Sequence, residues 1–138
     1  MADYIKLTED ETVISLMLYL EKAGWLIESH CLGHTHGCDI IASKNNNKLL
    51  VEVKGARAGD NSRNKKREFF DNTQIKTHFG KAIVKIFDDK VLNPNATFAI
   101  AHPDDVEIRK AIGRLTPFLK DLEIKHYWVS RNGIVTED

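Results

Sequence analysis

No stretch of this 138-residue chain approaches the roughly 18 consecutive apolar residues of a membrane span. The opening residues, Met-Ala-Asp-Tyr-Ile-Lys-Leu-Thr-Glu-Asp, contain no apolar signal region either. A protein with no membrane attachment is expected. Net charge is missing too: 20 Lys and Arg offset 20 Asp and Glu, giving +0. Overall charge therefore does not announce a nucleic-acid binder, and any such role must come from local asymmetry. Cysteine is scarce, with Cys31 and Cys38 alone, and without a secretion signal both are expected as reduced thiols in the cytoplasm. Repeats, linkers and low-complexity tracts are absent. One domain spanning residues 1–138 is expected, long enough for its own core.

What is present is concentrated between Gly37 and Gly55. Apolar runs on either side of Asn45-Asn46-Asn47 predict strands over residues 38–44 and 48–54, joined as a β-hairpin. With the turn centred on Asn45 and Asn46, Asp39 falls opposite Glu52. Side chains alternate along a strand, so Glu52 and Lys54 share one face while Val51 and Val53 take the other. Two carboxylates and an ammonium thus meet at the open end of the hairpin. Hard carboxylate oxygens suit Mg²⁺, with water and a substrate phosphate completing its coordination. The plain alternative is that Glu-Val-Lys is an ordinary solvated strand face. Asp39 weighs against that, because an Asp after a Gly is poorly favoured at the start of an apolar strand.

These residues, Gly37, Asp39, Ile40 and then Glu52-Val53-Lys54-Gly55, resemble the signature of the PD-(D/E)xK nuclease superfamily, including its Mrr-like and Holliday-junction-resolvase-like branches. Cys38 stands where the superfamily name has Pro, a position that varies within it. The resemblance implies that Asp39 and Glu52 hold Mg²⁺ or Mn²⁺ and that Lys54 positions the attacking water. It also implies a restriction-endonuclease-like αβββαβ core, a mixed central sheet flanked by helices. Here an additional C-terminal αβ follows that core.

The remaining chain fits this order. Residues 8–23 predict a helix: Thr8 as N-cap with Glu11 makes a capping box, Val13, Leu16, Met17 and Leu20 form the apolar stripe, and Gly24 ends it. At about 100° per residue, Glu9 shares the inward stripe and Glu11 points away. The resemblance implies an extra metal-binding carboxylate on this helix. Spacing would place it at Val13, so Glu9, one turn earlier on the same face, is the candidate. Its plain alternative is an acid that favours the helix dipole. Residues 25–32 predict the first strand. Between it and the hairpin, Cys31, His34, His36 and Cys38 are packed too tightly for usual structural zinc. His36 is either a substrate contact beside Asp39 or an exposed loop residue.

Directly after Lys54, five basic residues (Arg57, Arg63, Lys65, Lys66 and Arg67) stand against Asp60. This is either a solvated run or an arm that grips phosphates. Residues 69–92 predict the second long helix, capped by Asp71 or Asn72 and buried through Ile75, Phe79, Ala82, Ile83 and Ile86. Gln74 lies in its first turn, where the resemblance implies a residue beside the metal. Its alternative is an ordinary helix former. Lys76, His78, Lys81 and Lys85 place positive charge on other faces. Residues 97–101 predict a buried strand, Asp104 with Glu107 caps a third helix that Pro117 ends or kinks, and residues 124–129 predict the last strand, with Trp128 in the core. Asn132-Gly133 marks a turn, and the acidic tail needs no function.

The expected protein is a metal-dependent DNA endonuclease, and a homodimer would present two sites to the two strands of a duplex. A non-catalytic nucleic-acid-binding or assembly subunit of the same fold is the alternative. Linear duplex, junction, single strand and RNA all stay open as targets.

Overall fold

Asn45 and Asn46 both take positive φ, 51° and 67°, in the computed structural model, which describes residues 6–32, 39–57 and 69–138. Paired positive φ values give the tight turn whose twist suits a two-residue hairpin. Strands β2 (Ile40–Lys44) and β3 (Asn47–Val53) accordingly pair antiparallel, from Lys44 with Asn47 to Ile40 with Val51. One residue further along this register, Asp39 faces Glu52, as the sequence predicts. Strand β1 (Leu26–His30) pairs antiparallel with β2 through a register shift between Ile27 and Ser29.

Beyond β3 the sheet turns parallel. β4 (Thr97–Pro103) and β5 (Ile124–Val129) add in order, and the antiparallel β6 (Val135–Glu137) completes a six-stranded mixed sheet, β1 to β6. A parallel pair needs a long crossover. Helix α2 (Asn72–Leu92) supplies it between β3 and β4.

Alternation along the strands divides the core between two faces. Val51, Val53, Ala99, Ala101 and Tyr127 pack with Val13, Leu16 and Leu20 of α1 (Glu9–Lys22). Leu50, Phe98, Ile100 and Trp128 pack with Ile75, Phe79, Ala82 and Ile86 of α2, and with Ile108 and Ile112 of α3 (Val106–Ile112). Each fully buried Leu or Ile contributes roughly 1.5–3 kcal/mol. A one-residue slip in β3 would lose these contacts on both faces at once. Among the described residues, no helix is long and apolar enough to cross a membrane.

The chain departs from the sequence expectations mostly near its end. Asp105, not Asp104, caps α3, accepting from the N–H groups of Glu107 and Ile108. Asp104 still belongs to the strand region: its N–H donates to Val129 O, and its carboxylate takes a two-bond grip from Arg109. Pro117 does not end α3, which stops at Ile112; it opens a 3-10 helix, Thr116–Leu122. The acidic tail is also structural. After a turn with Gly133 at φ 85°, β6 pairs with β5. The Asp138 carboxylate accepts from Thr116 Oγ1 (2.6 Å) and Trp128 Nε1 (2.9 Å).

Candidate active site

Gly55 explains how the first helix reaches the hairpin. A methyl group there would run into the backbone of Thr8 and Glu9. The missing side chain lets the end of β3 lie against the start of α1, where Ala56 N–H donates to Leu7 O and Thr8 bridges to Arg57. The α1 N-terminus is fixed further by its capping box. Thr8 Oγ1 accepts from Glu11 N–H, and Glu11 Oε1 accepts from Thr8 N–H. Glu11 is thereby used as a cap, and Glu9 is left facing the hairpin end, as helical phase predicts.

Asp39 is the hub of the resulting cluster. Its Oδ2 accepts from Val53 N–H at 2.7 Å, a bond that ties the entrance of β2 to the exit of β3. Glu52 is only 7% exposed, and its Oε1 is buried with no hydrogen-bond donor. The ammonium of Lys85, on α2, stands 3.8 Å from that oxygen and 2.7 Å from Asp89 Oδ1. Lys54 follows Val53, and its N–H donates to Ala101 O. All these groups gather at the carboxyl end of β3, the edge where open α/β sheets bind ligands.

The electrostatics show acids buried together, with burial the larger cause and like charge the smaller. Burial pushes the Glu52 carboxyl up to about 8 from 4.5, and neighbouring Asp39 raises it further against the pull of Lys85 and Lys54. Burial likewise raises Glu9 to about 7, with Asp39 and Asp10 adding to the rise and Lys54 opposing it. Asp39 itself is raised by burial, opposed by the Val53 N–H bond and by Lys54 and Lys85. Acids that hold protons near neutrality, beside an orphaned buried oxygen, form a site short of positive charge. A divalent cation meets that shortage, and the all-oxygen donor set suits Mg²⁺ or Mn²⁺. Among the described residues, no three side chains converge as a ready-made metal cage. Mg²⁺ does not require one, since it commonly uses one or two carboxylates and completes its shell with water and phosphate. The residues fit the ion.

Gln74 lies in the first turn of α2, where its Oε1 accepts from Asp71 N–H while Asp71 Oδ1 accepts from Gln74 N–H. It completes a capping box. Arg57 donates Nε–H to Lys6 O and lies 3.6 Å from Glu11, so it braces the approach to α1. His36, Arg63, Lys65, Lys66 and Arg67 lie outside the described residues, as do His34 and Cys38.

Several neighbours escaped the sequence reading. Asp10 repels both Glu9 and Asp39. Lys85 and Asp89 had a legible signal, because Asp89 is in phase with buried Ala82 and Ile86 on α2. A buried acid there needs a cation one turn away. On the same sheet face, His102 and His126 are each 1% exposed, with His102 Nδ1 2.9 Å from His126 Nε2. Burial lowers both, His126 to about 4, so one neutral ring donates to the other. Their signal was two histidines at inward positions of neighbouring strands. The parallel register sets Lys54 beside His102. On α2, burial and the charges of Lys54 and Lys81 lower His78.

The architecture has counterparts among solved structures. A crystal structure of an fdxN element excision controlling factor protein from Anabaena variabilis matches with TM-score 0.58 and 18% identity, covering 91% of this chain and 95% of that one. An XisH family protein from Nostoc punctiforme matches with TM-score 0.57, 17% identity and the same coverage. The likeness is one of fold. No protein-family model matches the chain, and no curated protein does.

Proposed function

We propose that this protein is a metal-dependent nuclease of the PD-(D/E)xK type that hydrolyses a DNA phosphodiester bond. The observation that carries this reading is the hairpin register. It sets Asp39 opposite Glu52, with Lys54 next to them and Glu9 brought in over Gly55. Asp39 and Glu52 would hold Mg²⁺ or Mn²⁺, with Glu9 as the third carboxylate. Such an ion, when bound, supplies a Lewis acid that lowers the pKa of water and offsets charge on the phosphate.

The chain's own residues do the rest. Asp39 is oriented by Val53 N–H, and Glu52 is held in a low-dielectric wall where electrostatic interactions are strong. Lys54 offers an ammonium to orient the attacking water or to stabilise the anion that develops. His78, Lys81 and Lys85 rise from α2 at i, i+3 and i+7 on one stripe, alongside the path a phosphate backbone would take to Lys54. The Anabaena protein's name places it in the control of an excision, which agrees with work on DNA.

A second reading, a non-catalytic nucleic-acid-binding or assembly subunit, is favoured by the deep burial of Glu52. A panel of linear duplex, junction, single-stranded and RNA substrates with Mg²⁺ or Mn²⁺ separates the two. Cleavage of DNA that a chelator stops, and that Lys54→Ala slows at least 100-fold with binding in Ca²⁺ retained, supports the nuclease. Binding with no cleavage of any substrate supports the subunit.

A further inference from the structure

A cavity of about 900 Å³ opens along the same sheet edge one strand beyond Lys54, with apolar walls from Phe69, Phe70, Leu7, Pro103 and Val106. Pro103 directly follows His102, the residue beside Lys54 in the β3–β4 register, and Leu7 leads into the helix that carries Glu9. The cavity therefore neighbours the acid cluster along the carboxyl edge of the sheet, with its lining drawn from the ends of β4 and β5 and the lead-ins to α1 and α2. Its volume suits a planar organic group together with its attached sugar.

Three carboxylates, Asp104, Asp105 and Glu107, line the cavity against two cations, Lys6 and Arg131, with Ser130 and Asn132 adding neutral polar groups, a balance that does not favour a bare anion. Asp104 is held by Arg109, and Asp105 is held by Lys6 (2.7 Å) and by the first N–H groups of α3. Lys6 also lies 5.2 Å from the centre of the Phe69 ring. Glu107 is more open: Lys110 approaches it only at 3.8 Å, and its side chain is largely exposed. Aromatic walls stack on any base face. A carboxylate accepts from an exocyclic amine such as cytosine N4.

We infer that this cavity receives an unpaired, amino-bearing nucleobase of a DNA strand whose phosphate lies at Asp39 and Glu52. The inference rests on the proposed nuclease reading and narrows its substrate to DNA with a single-stranded extension or a splayed end. Phe69 and Phe70 supply the stacking wall, and Glu107 reads the amine.

The test measures binding of the full-length protein, in Ca²⁺, to a labelled hairpin ending in a three-nucleotide cytosine overhang and to its blunt counterpart. Wild type is expected to favour the overhang about 10-fold. Val106→Trp, at a solvent-exposed position, fills the cavity and should bring the overhang-to-blunt ratio close to 1 while circular dichroism shows the fold retained. Glu107→Gln should reduce the preference for a cytosine over a thymine overhang. Free deoxycytidine monophosphate should bind far more weakly than the overhang. Equal affinity of wild type for overhang and blunt DNA, an unchanged ratio in Val106→Trp, or free nucleotide binding as tightly as the overhang would each overturn the inference. Because these ratios are read without cleavage, an absence of cleavage would defeat the nuclease reading and leave the cavity result standing.

Discussion

At Glu52, one side chain carries opposite demands. Its carboxylate is buried, one oxygen has no hydrogen-bond donor, and its pKa is pushed up to about 8. The sign of the resulting linkage is definite. Between the ordinary 4.5 and about 8, the folded state holds a proton that the unfolded state has released. Stability from this group is fully present below about pH 4.5 and is lost as pH rises through 8. The Glu9 carboxyl, raised to about 7, acts in the same direction. The metal-free protein should therefore melt at lower temperature at pH 9 than at pH 6. Glu52→Gln should shrink that difference, and Mg²⁺ should raise the wild-type melting temperature most at alkaline pH. Differential scanning calorimetry in chelator and in Mg²⁺ checks all three. A melting temperature independent of pH from 5 to 9 would contradict the crowding of acids.

At the scale of elements, the hairpin and α1 were the most legible parts. Asn-Asn turn chemistry, period-two alternation and the Thr8–Glu11 box are local signals, and each came through in the structure. Local signals failed where another side chain decided the outcome. Arg109 claims Asp104, so the cap of α3 moves to Asp105. A three-residue strand such as β6 has too little pattern of its own, and it forms because β5 offers an edge and Asp138 finds Thr116 and Trp128. The candidate-site residues Asp39, Glu52, Lys54 and Glu9 were picked out by strand register and helix phase together with the family resemblance, and the structure sets Asp39 at the hairpin end beside Val53. Lys85 was read only as positive charge on another face of α2, whereas it lies against Glu52, and the His102–His126 pair was not read, because both depend on what lies across the sheet face. Two predictions separate cap from site. Glu11→Ala should cost about 1 kcal/mol of stability and little activity, whereas Glu9→Ala should reduce cleavage and spare stability; urea melts beside single-turnover rates would show it, and the reverse pattern would contradict the helix phase. Gly55→Ala should damage both, because the start of α1 must then retreat from β3.

Across the whole molecule, a neutral chain has to concentrate positive charge locally if it is to hold DNA. The described residues offer Lys81 and Lys85 on α2 beside Lys54, and the sequence adds Arg63, Lys65, Lys66 and Arg67. Neutralising Lys81 and Lys85 together should flatten the salt dependence of DNA binding, since each lost phosphate contact removes about 0.9 from the log–log slope. An unchanged slope would take the stripe off the DNA path. Two cuts in a duplex call for two sites, so light scattering is expected to report a homodimer, and a monomer at working concentration would refute it. The central claim, that Asp39 and Glu52 form a metal site, is tested most directly by calorimetric titration of Mn²⁺ into wild type, Asp39→Asn and Glu52→Gln. One site is expected in wild type, weakening as pH falls from 8.5 to 6 because the ion must displace protons, and weakening at least 10-fold in either variant. Equal Mn²⁺ affinity in all three proteins would contradict it.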